Sequence, residues 1–384
     1  MARTSRARRA PIVLTAALSA LVLSPTSATA ENPSPTVDLA VSDSSTTYRI
    51  PAMATTPHGT VVAAFDQRND GSGDLPGNID TVVRRSTDNG ATWSDPQTVV
   101  DYPAPQGCGD PSLLADRVAD RLLLFCTFSH GEVGFADSEP GTADDSDPRT
   151  LHVRVSTSED DGKTWSDPVD LNSQTKDVSW AGVFASSGHG AQTADGRLLQ
   201  PIVVRDAEGQ HHGANIISDD HGRTWRTSEL LSAGTDETKV TELADGRVVH
   251  NSRAVDGGTR LRSVSHDGGV TFGDAEEIPG LPDPGVNADE IRVDPRPSGD
   301  RSDWLLFSNP ANRTERRTLT LRSSCDNGEH WSEGTVLHEG PAGYSVLAML
   351  PNGRVGVFAE NGTNGTFDKL TFRSVSLDDL TGGC

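Results

Sequence analysis

Apolar and polar residues alternate along most of this chain in short runs that stop at turn residues, so the pattern predicts strands rather than helices. Ile79-Asp-Thr-Val-Val83 and Leu319-Thr-Leu321 are examples, and each leads into the same kind of turn. The turn reads Ser86-Thr-Asp88-Asn-Gly90-Ala-Thr92-Trp93 and returns as Ser158-Glu-Asp160-Asp-Gly162-Lys-Thr164-Trp165 and Ser218-Asp-Asp220-His-Gly222-Arg-Thr224-Trp225. Two looser copies follow, Ser265-His-Asp267-Gly-Gly269-Val-Thr271-Phe272 and Ser324-Cys-Asp326-Asn-Gly328-Glu-His330-Trp331. In such a box the Asp can accept backbone N–H groups of its own loop, the Gly can take a positive φ, and the ring can fold over the turn. Phe272 and His330, standing where other copies have Trp and Thr, predict two weaker turns.

The boxes start at 86, 158, 218, 265 and 324. That spacing suits one four-stranded blade per copy, and repetition at such a period predicts an all-β fold, a six-bladed β-propeller whose last blade lacks a recognisable box. A second hairpin signal recurs at Gly59, Gly196, Gly246 and Gly353, each a tight turn between two strands. Arg49 lies ten residues before its Gly, and Glu237 and Tyr344 lie nine before theirs; Asp66, Arg253 and Glu360 each fall seven after. Residues that far from a hairpin turn meet again at its open end, roughly 25 Å away at about 3.3 Å per residue. These six polar groups therefore share one face, and the boxes, which end third strands, lie on the other. Arg316, eight before Ser324, joins the first face, as does the 67–78 loop with Asp70 and Asp74.

Composition adds compartment and charge. Arg3, Arg6, Arg8 and Arg9, an apolar run from Ile12 to Leu23 and Ala28-Thr-Ala30 predict a signal peptide over residues 1–30 and a secreted, extracellular protein of one catalytic domain, 31–384. The apolar run is too short for a bilayer, so no membrane association is expected. Net charge is −22, four units lower once the leader arginines are gone, which argues against nucleic acid as a partner. The chain is expected to act as a monomer. Four cysteines in an exported chain are expected to pair; Cys108 with Cys126 and Cys325 with Cys384 is one of three connectivities. No cofactor or metal site is expected: the histidines lack ligand spacing, and Asp144-Asp145-Ser-Asp147 lacks the Gly and distal Glu of a calcium loop.

Any one of Arg49, Arg253 and Arg316 alone reads as a surface ion-pair residue. Brought to matched positions, they suggest a clamp for a carboxylate, which guanidinium forks bind bidentately. Tyr344 alone reads as rim or core filler. Beside Glu237, across the pore, its phenol can lose a proton as it attacks, which makes a nucleophile.

With these residues in place the chain resembles a secreted bacterial sialidase (neuraminidase) of glycoside hydrolase family 33. The likeness runs through Tyr48-Arg49-Ile50-Pro51, the boxes, Gly109-Asp110-Pro111-Ser112, Asp236-Glu237, Asn251-Ser252-Arg253 and Tyr344-Ser345. It implies an exo-α-sialidase that releases terminal sialic acids from sialylated glycans with retention, through a tyrosyl-enzyme intermediate. It implies Tyr344 as nucleophile, Glu237 as its base, and Asp74, in Gly73-Asp74-Leu-Pro-Gly77, as acid and base, ahead of Asp70. Arg49, Arg253 and Arg316 match the carboxylate clamp, with Arg317 a competing third member. Asp110 resembles a sugar-pocket aspartate, and Arg68 and Glu360 resemble supporting residues. A trans-sialidase would use the same residues, and a non-catalytic glycan-binding propeller would need the boxes alone.

Overall fold

The computed structural model describes residues 1–2, 36–141, 143–293, 301 and 303–380. The expected leader, apart from its first two positions, lies outside the described residues. The described residues from 36 onward form one compact unit. Among the described residues, helix is confined to Asn172–Thr175 and a 3-10 turn at Leu377–Asp379. None is long and apolar enough to cross a membrane.

The strands assemble as five sheets, all but one of four or five strands. The seven-stranded exception is two groups joined by the long strand Thr335–Met349, whose first half pairs with Arg317–Ser324 and whose second half pairs with Val355–Asn361. Divided there, the described strands make six groups in chain order, antiparallel except where the short strand Gly188–His189 pairs in parallel with Gly107–Asp116. Their inner strands are Thr47–Thr55, Gly107–Asp116, Gly182–Ala185, Thr235–Glu242, Asp289–Arg292 and the second half of Thr335–Met349. The first strand, Thr36–Val41, pairs with Lys369–Val375 and so completes the last group from the opposite end of the chain. Thr55 Oγ1 donates to Met349 O at 2.8 Å, bringing the first and last inner strands together. This is a β-propeller.

All five boxes close third strands, and their chemistry is uniform. In the second, Thr164 N and Oγ1 donate to Asp160 at 2.8 and 2.7 Å, and Gly162 N donates to Ser158 Oγ at 2.8 Å. Residues Asp161 and Gly162 both have positive φ, 60° and 75°. The backbone N–H of Thr164 leads the contacts that bring the Asp160 carboxyl down to about 2. The fifth turn keeps its contacts despite the exchange of Thr for His: His330 N donates to Asp326 Oδ1 at 2.9 Å and the imidazole meets Oδ2 at 2.7 Å.

The box aromatics do more than cover their own turns. Trp93 packs with Phe65, Val346 and Phe372, between the first and last groups. Trp165 lies with Val62 and Leu113, Trp225 with Leu123 and Leu198, Phe272 with Leu199 and Val240, and Trp331 with Leu281 and Phe307. Each ring thus fills the seam between its own sheet and the preceding one. Trp225 is buried and the other four are half-buried; truncating a fully buried ring costs about 3–5 kcal/mol, which applies to Trp225, and the repeat is a seam-filling device.

Candidate active site

The open ends of the inner strands carry the candidate residues, and four of the six strands reach them through a bulge of one extra residue. The ladder slips between Arg49 and Ala52, Gly109 and Ser112, Thr235 and Thr238, and Ala342 and Ser345. Ile50, Asp110, Glu237 and Tyr344 sit inside those slips. A bulge re-aims a side chain and frees a backbone N–H from the ladder. Here a carboxylate takes each one: Glu360 accepts from Ile50 N and Tyr344 N, both at 3.0 Å, Asp66 from Asp110 N at 3.1 Å, and Asp236 from Glu237 N at 2.6 Å. Ile50 and Asp110 are left-handed, φ 56° and 55°, an outlier for a β-branched residue and a sign of strain held by its surroundings. Gly343 has a related reason: a Cβ there would collide with the Glu360 carboxylate that holds Tyr344.

At the centre Tyr344 Oη donates to Glu237 Oε2 at 2.7 Å. Arg253 Nη1 donates to the same oxygen at 2.8 Å and approaches the phenol at 3.4 Å. Burial raises the Glu237 carboxyl above its ordinary value, against the pull of Arg253. Burial, then the Glu237 charge, pushes the Tyr344 phenol well above 10. The phenol therefore keeps its proton and donates it to Glu237 across this bond.

Guanidinia flank the ring. Arg49 and Arg316 place Cζ 5.7 and 5.5 Å from its centroid, inside cation–π range. Arg49 is nearly buried and is fixed on Glu360 at 3.2 Å, with Phe367 stacked on it at 3.9 Å. Arg316 is held by Gly285 O at 2.8 Å. Arg317 instead points to solvent, 3.5 Å from Glu315, so Arg316 is the arginine beside the tyrosine.

Asp74 lies at the rim with a side chain 77% exposed, 3.2 Å from Arg49 and 2.7 Å from Arg68. Burial would raise its carboxyl, but Arg68, Arg49 and Arg316 outweigh that and hold it below its ordinary value. Arg68 also binds Ser72 O, Gly73 O and Asp66, so it shapes the loop that presents Asp74. Asp70 is used inside that loop, accepting Asn78 N at 3.0 Å. Asp110 sits over the Asp66–Arg68 pair, its carboxyl raised well above the usual range by burial and then by Asp66 and Asp74.

Cys108 and Cys126 form a disulfide two residues from Asp110. Cys325 is also disulfide-bonded; Cys384, its expected partner, lies outside the described residues. Residues missed in the sequence include Phe367, His211, which meets Asp236 at 2.8 Å, and Lys239. Phe367 follows a Gly-rich loop with no apolar period around it, so no sequence signal marked it. Asp145, His152 and Asp170 stand close enough to hold a cation, and the Arg154 guanidinium already occupies that role, 2.5 Å from Asp145 and 3.8 Å from Asp170. A cavity of about 830 Å³ opens at the other ends of the inner strands, lined by Arg117, His189, Glu242 and Arg292 among others. It contains no tyrosine–carboxylate pair, and the chemistry lies at the opposite mouth.

The family model described as "BNR repeat-like domain" matches residues 59–357. A protein of Micromonospora viridifaciens named "Sialidase" is 42% identical over 347 residues, covering 88% of this chain and 52% of the relative. One of Bacteroides fragilis with the same name is 31% identical, covering 88% and 63%. The solved structure titled "Hadza microbial sialidase Hz136" superposes with a TM-score of 0.79 at 30% identity, covering 87% of this chain and 66% of that one. The chain spans about half to two thirds of the length of these relatives.

Proposed function

The chain belongs to the BNR repeat-like domain family and is a homologue of bacterial sialidases, and from that premise we propose that it is an exo-α-sialidase hydrolysing terminal sialic acids with retention. The observation that carries this is the Tyr344 phenol, 2.7 Å from a buried carboxylate and flanked by Arg49, Arg253 and Arg316. We read the six strand groups as six blades around that site.

Sialic acid bears a carboxylate on its anomeric carbon. An Asp or Glu nucleophile would meet a like charge there; a phenol arrives neutral, and tyrosine nucleophiles are the sialidase exception among retaining glycosidases. The three guanidinia hold the substrate carboxylate, which takes the place of Asp74 on Arg49. Tyr344 Oη bonds to the anomeric carbon while its proton passes to Glu237. Asp74 protonates the departing glycosidic oxygen, then takes a proton from the water that breaks the tyrosyl–sugar bond. The residue 1–30 leader signature supports export.

A fluorogenic sialoside tests the reading: release of the fluorophore is expected, and binding without release would leave only a glycan-binding propeller. Added lactose separates hydrolysis from transfer, since sialyllactose would mark a transferase. Electrostatics adds a second expectation. Asp74 acts protonated, so activity falls as pH rises through its pKa. In the free enzyme Arg68, Arg49 and Arg316 hold that pKa low against burial, and a bound carboxylate neutralises two of them, Arg49 and Arg316. The break that Asp74 sets is therefore expected at higher pH in kcat, which reports the complex, than in kcat/KM, which reports free enzyme. Coincident limbs would remove Asp74 from the acid role.

A further inference from the structure

Two residues beyond Glu237 on the same inner strand, Lys239 is 1% exposed, although lysine is almost never fully buried without a paired charge. Its Nζ donates to Ser187 O and to Asn287 Oδ1, two neutral oxygens on the flanking groups. Asn287 is fixed in turn, donating to Ser187 O at 2.9 Å and to Ser187 Oγ at 2.7 Å. Gly188, with φ 109°, leaves the space that Lys239 fills; a Cβ there would meet Lys239 Cε at 2.8 Å. An ammonium thus lies among the inner strands of the fourth group and its neighbours with no carboxylate in contact. Burying an unpaired charge is costly, and an apolar side chain of the same length would fill the space without that cost. Packing alone does not account for it.

We infer that Lys239 is a positioning residue, a fixed positive charge below the site that keeps the Glu237 carboxyl ionised and ready to accept the Tyr344 proton. The inference rests on the proposed roles of that pair. The charges around Lys239 are those of Asp289, Glu237 and Arg260. Burial acts most on Glu237; of the groups around it Arg253 has the largest effect, followed by Asp236 and Tyr344, and Asp110 and Arg260 also feel its charge. Asp289 is engaged elsewhere, by His189 at 3.0 Å and by Leu347 N at 2.6 Å. His250, on the adjacent strand, bonds Thr238 Oγ1 and is kept neutral by burial, its pKa brought down to about 3. Glu237 therefore has two cationic supports, Arg253 in contact and Lys239 at longer range. Burial lowers the Lys239 ammonium to about 8, so it is charged wherever Glu237 must act.

The test is the pH profile of kcat/KM for Lys239→Gln, which keeps N–H donors for both oxygens and removes the charge, and for Lys239→Met, which keeps the volume. Glu237 must be deprotonated to work; with Asp74 held low and Glu237 raised by burial, the limb at higher pH is the one Glu237 sets, and loss of a neighbouring positive charge moves that limb to higher pH. The expected move is about one to two units, the size of a unit charge acting across about 5–10 Å at an effective dielectric of about 20. KM is expected to change less than kcat, because the clamp arginines are untouched. If one variant does not fold, the other decides. An unmoved higher-pH limb in a folded variant, with normal wild-type turnover, overturns this inference alone; a wild type without turnover on any sialoside overturns the reading of the site and this inference with it.

Discussion

Tyr344→Phe is expected to reduce turnover of a sialoside by about a thousandfold or more, the scale on which enzymes lose activity when a nucleophile is removed. Its binding of a sialic acid analogue should survive. The two outcomes separate because the residues that grip and the residue that attacks are held by different contacts. Phe keeps the ring that packs on Ile50 and Val286, and it leaves Arg49 on Glu360 and Arg316 on Gly285. What disappears is one oxygen, the donor to Glu237 and a partner of Arg253. Glu237 and Arg253 remain paired at 2.8 Å, so no buried charge is stranded and the fold should hold. Single-turnover kinetics beside calorimetric titration of the analogue would check both halves. A variant turning over near the wild-type rate would take Tyr344 out of the mechanism, and a variant that lost binding as well would make the phenol part of the clamp.

The shared face of the candidate residues was legible because two independent periods agreed. The boxes marked the ends of third strands, and counting back from the Gly of each hairpin put Arg49, Glu237 and Tyr344 at the opposite ends, where the structure has them. The count held one clue that periodicity could not interpret: Arg49 lies ten residues before its Gly, whereas Glu237 and Tyr344 lie nine before theirs. The register explains the difference. Ile50, not Arg49, stands where Glu237 and Tyr344 stand, inside the bulge, and Arg49 is the last paired residue beside it. A period of two cannot reveal a bulge, because the extra residue only resets the alternation. The closing strand Thr36–Val41 was hidden for a different reason: it pairs with Lys369–Val375 across almost the whole chain, and local pattern carries no partner. Lys239 was hidden by its own strand, where a polar residue in an alternating run reads as solvent-facing until the neighbouring inner strands enclose it.

Glu360→Ala should harm stability and activity together, because that carboxylate joins the ends of the ring at the point where the site is built. It is fully buried and accepts from Arg49 Nε at 3.2 Å, from Ile50 N at 3.0 Å and from Tyr344 N at 3.0 Å. Two bulges, one on the first inner strand and one on the last, are thus capped by a single side chain. Its removal leaves a nearly buried guanidinium with only the rim carboxylate of Asp74 for a partner, and it orphans two backbone donors. Breaking a buried ion pair in this way costs about 3–5 kcal/mol, and each unsatisfied buried N–H adds about 1–3 kcal/mol where water cannot reach it. Since a domain of this kind holds about 5–15 kcal/mol in all, the variant should unfold at a clearly lower denaturant midpoint. Its folded fraction should also have a raised KM, through Arg49, and a lowered kcat, through Tyr344. Glu360→Gln separates the contributions: one amide oxygen can still accept, the charge is gone, and the loss should fall between wild type and Ala. Equal midpoints for all three proteins would mean that the bulges are held by their own strands, and that Glu360 only balances the charge of Arg49.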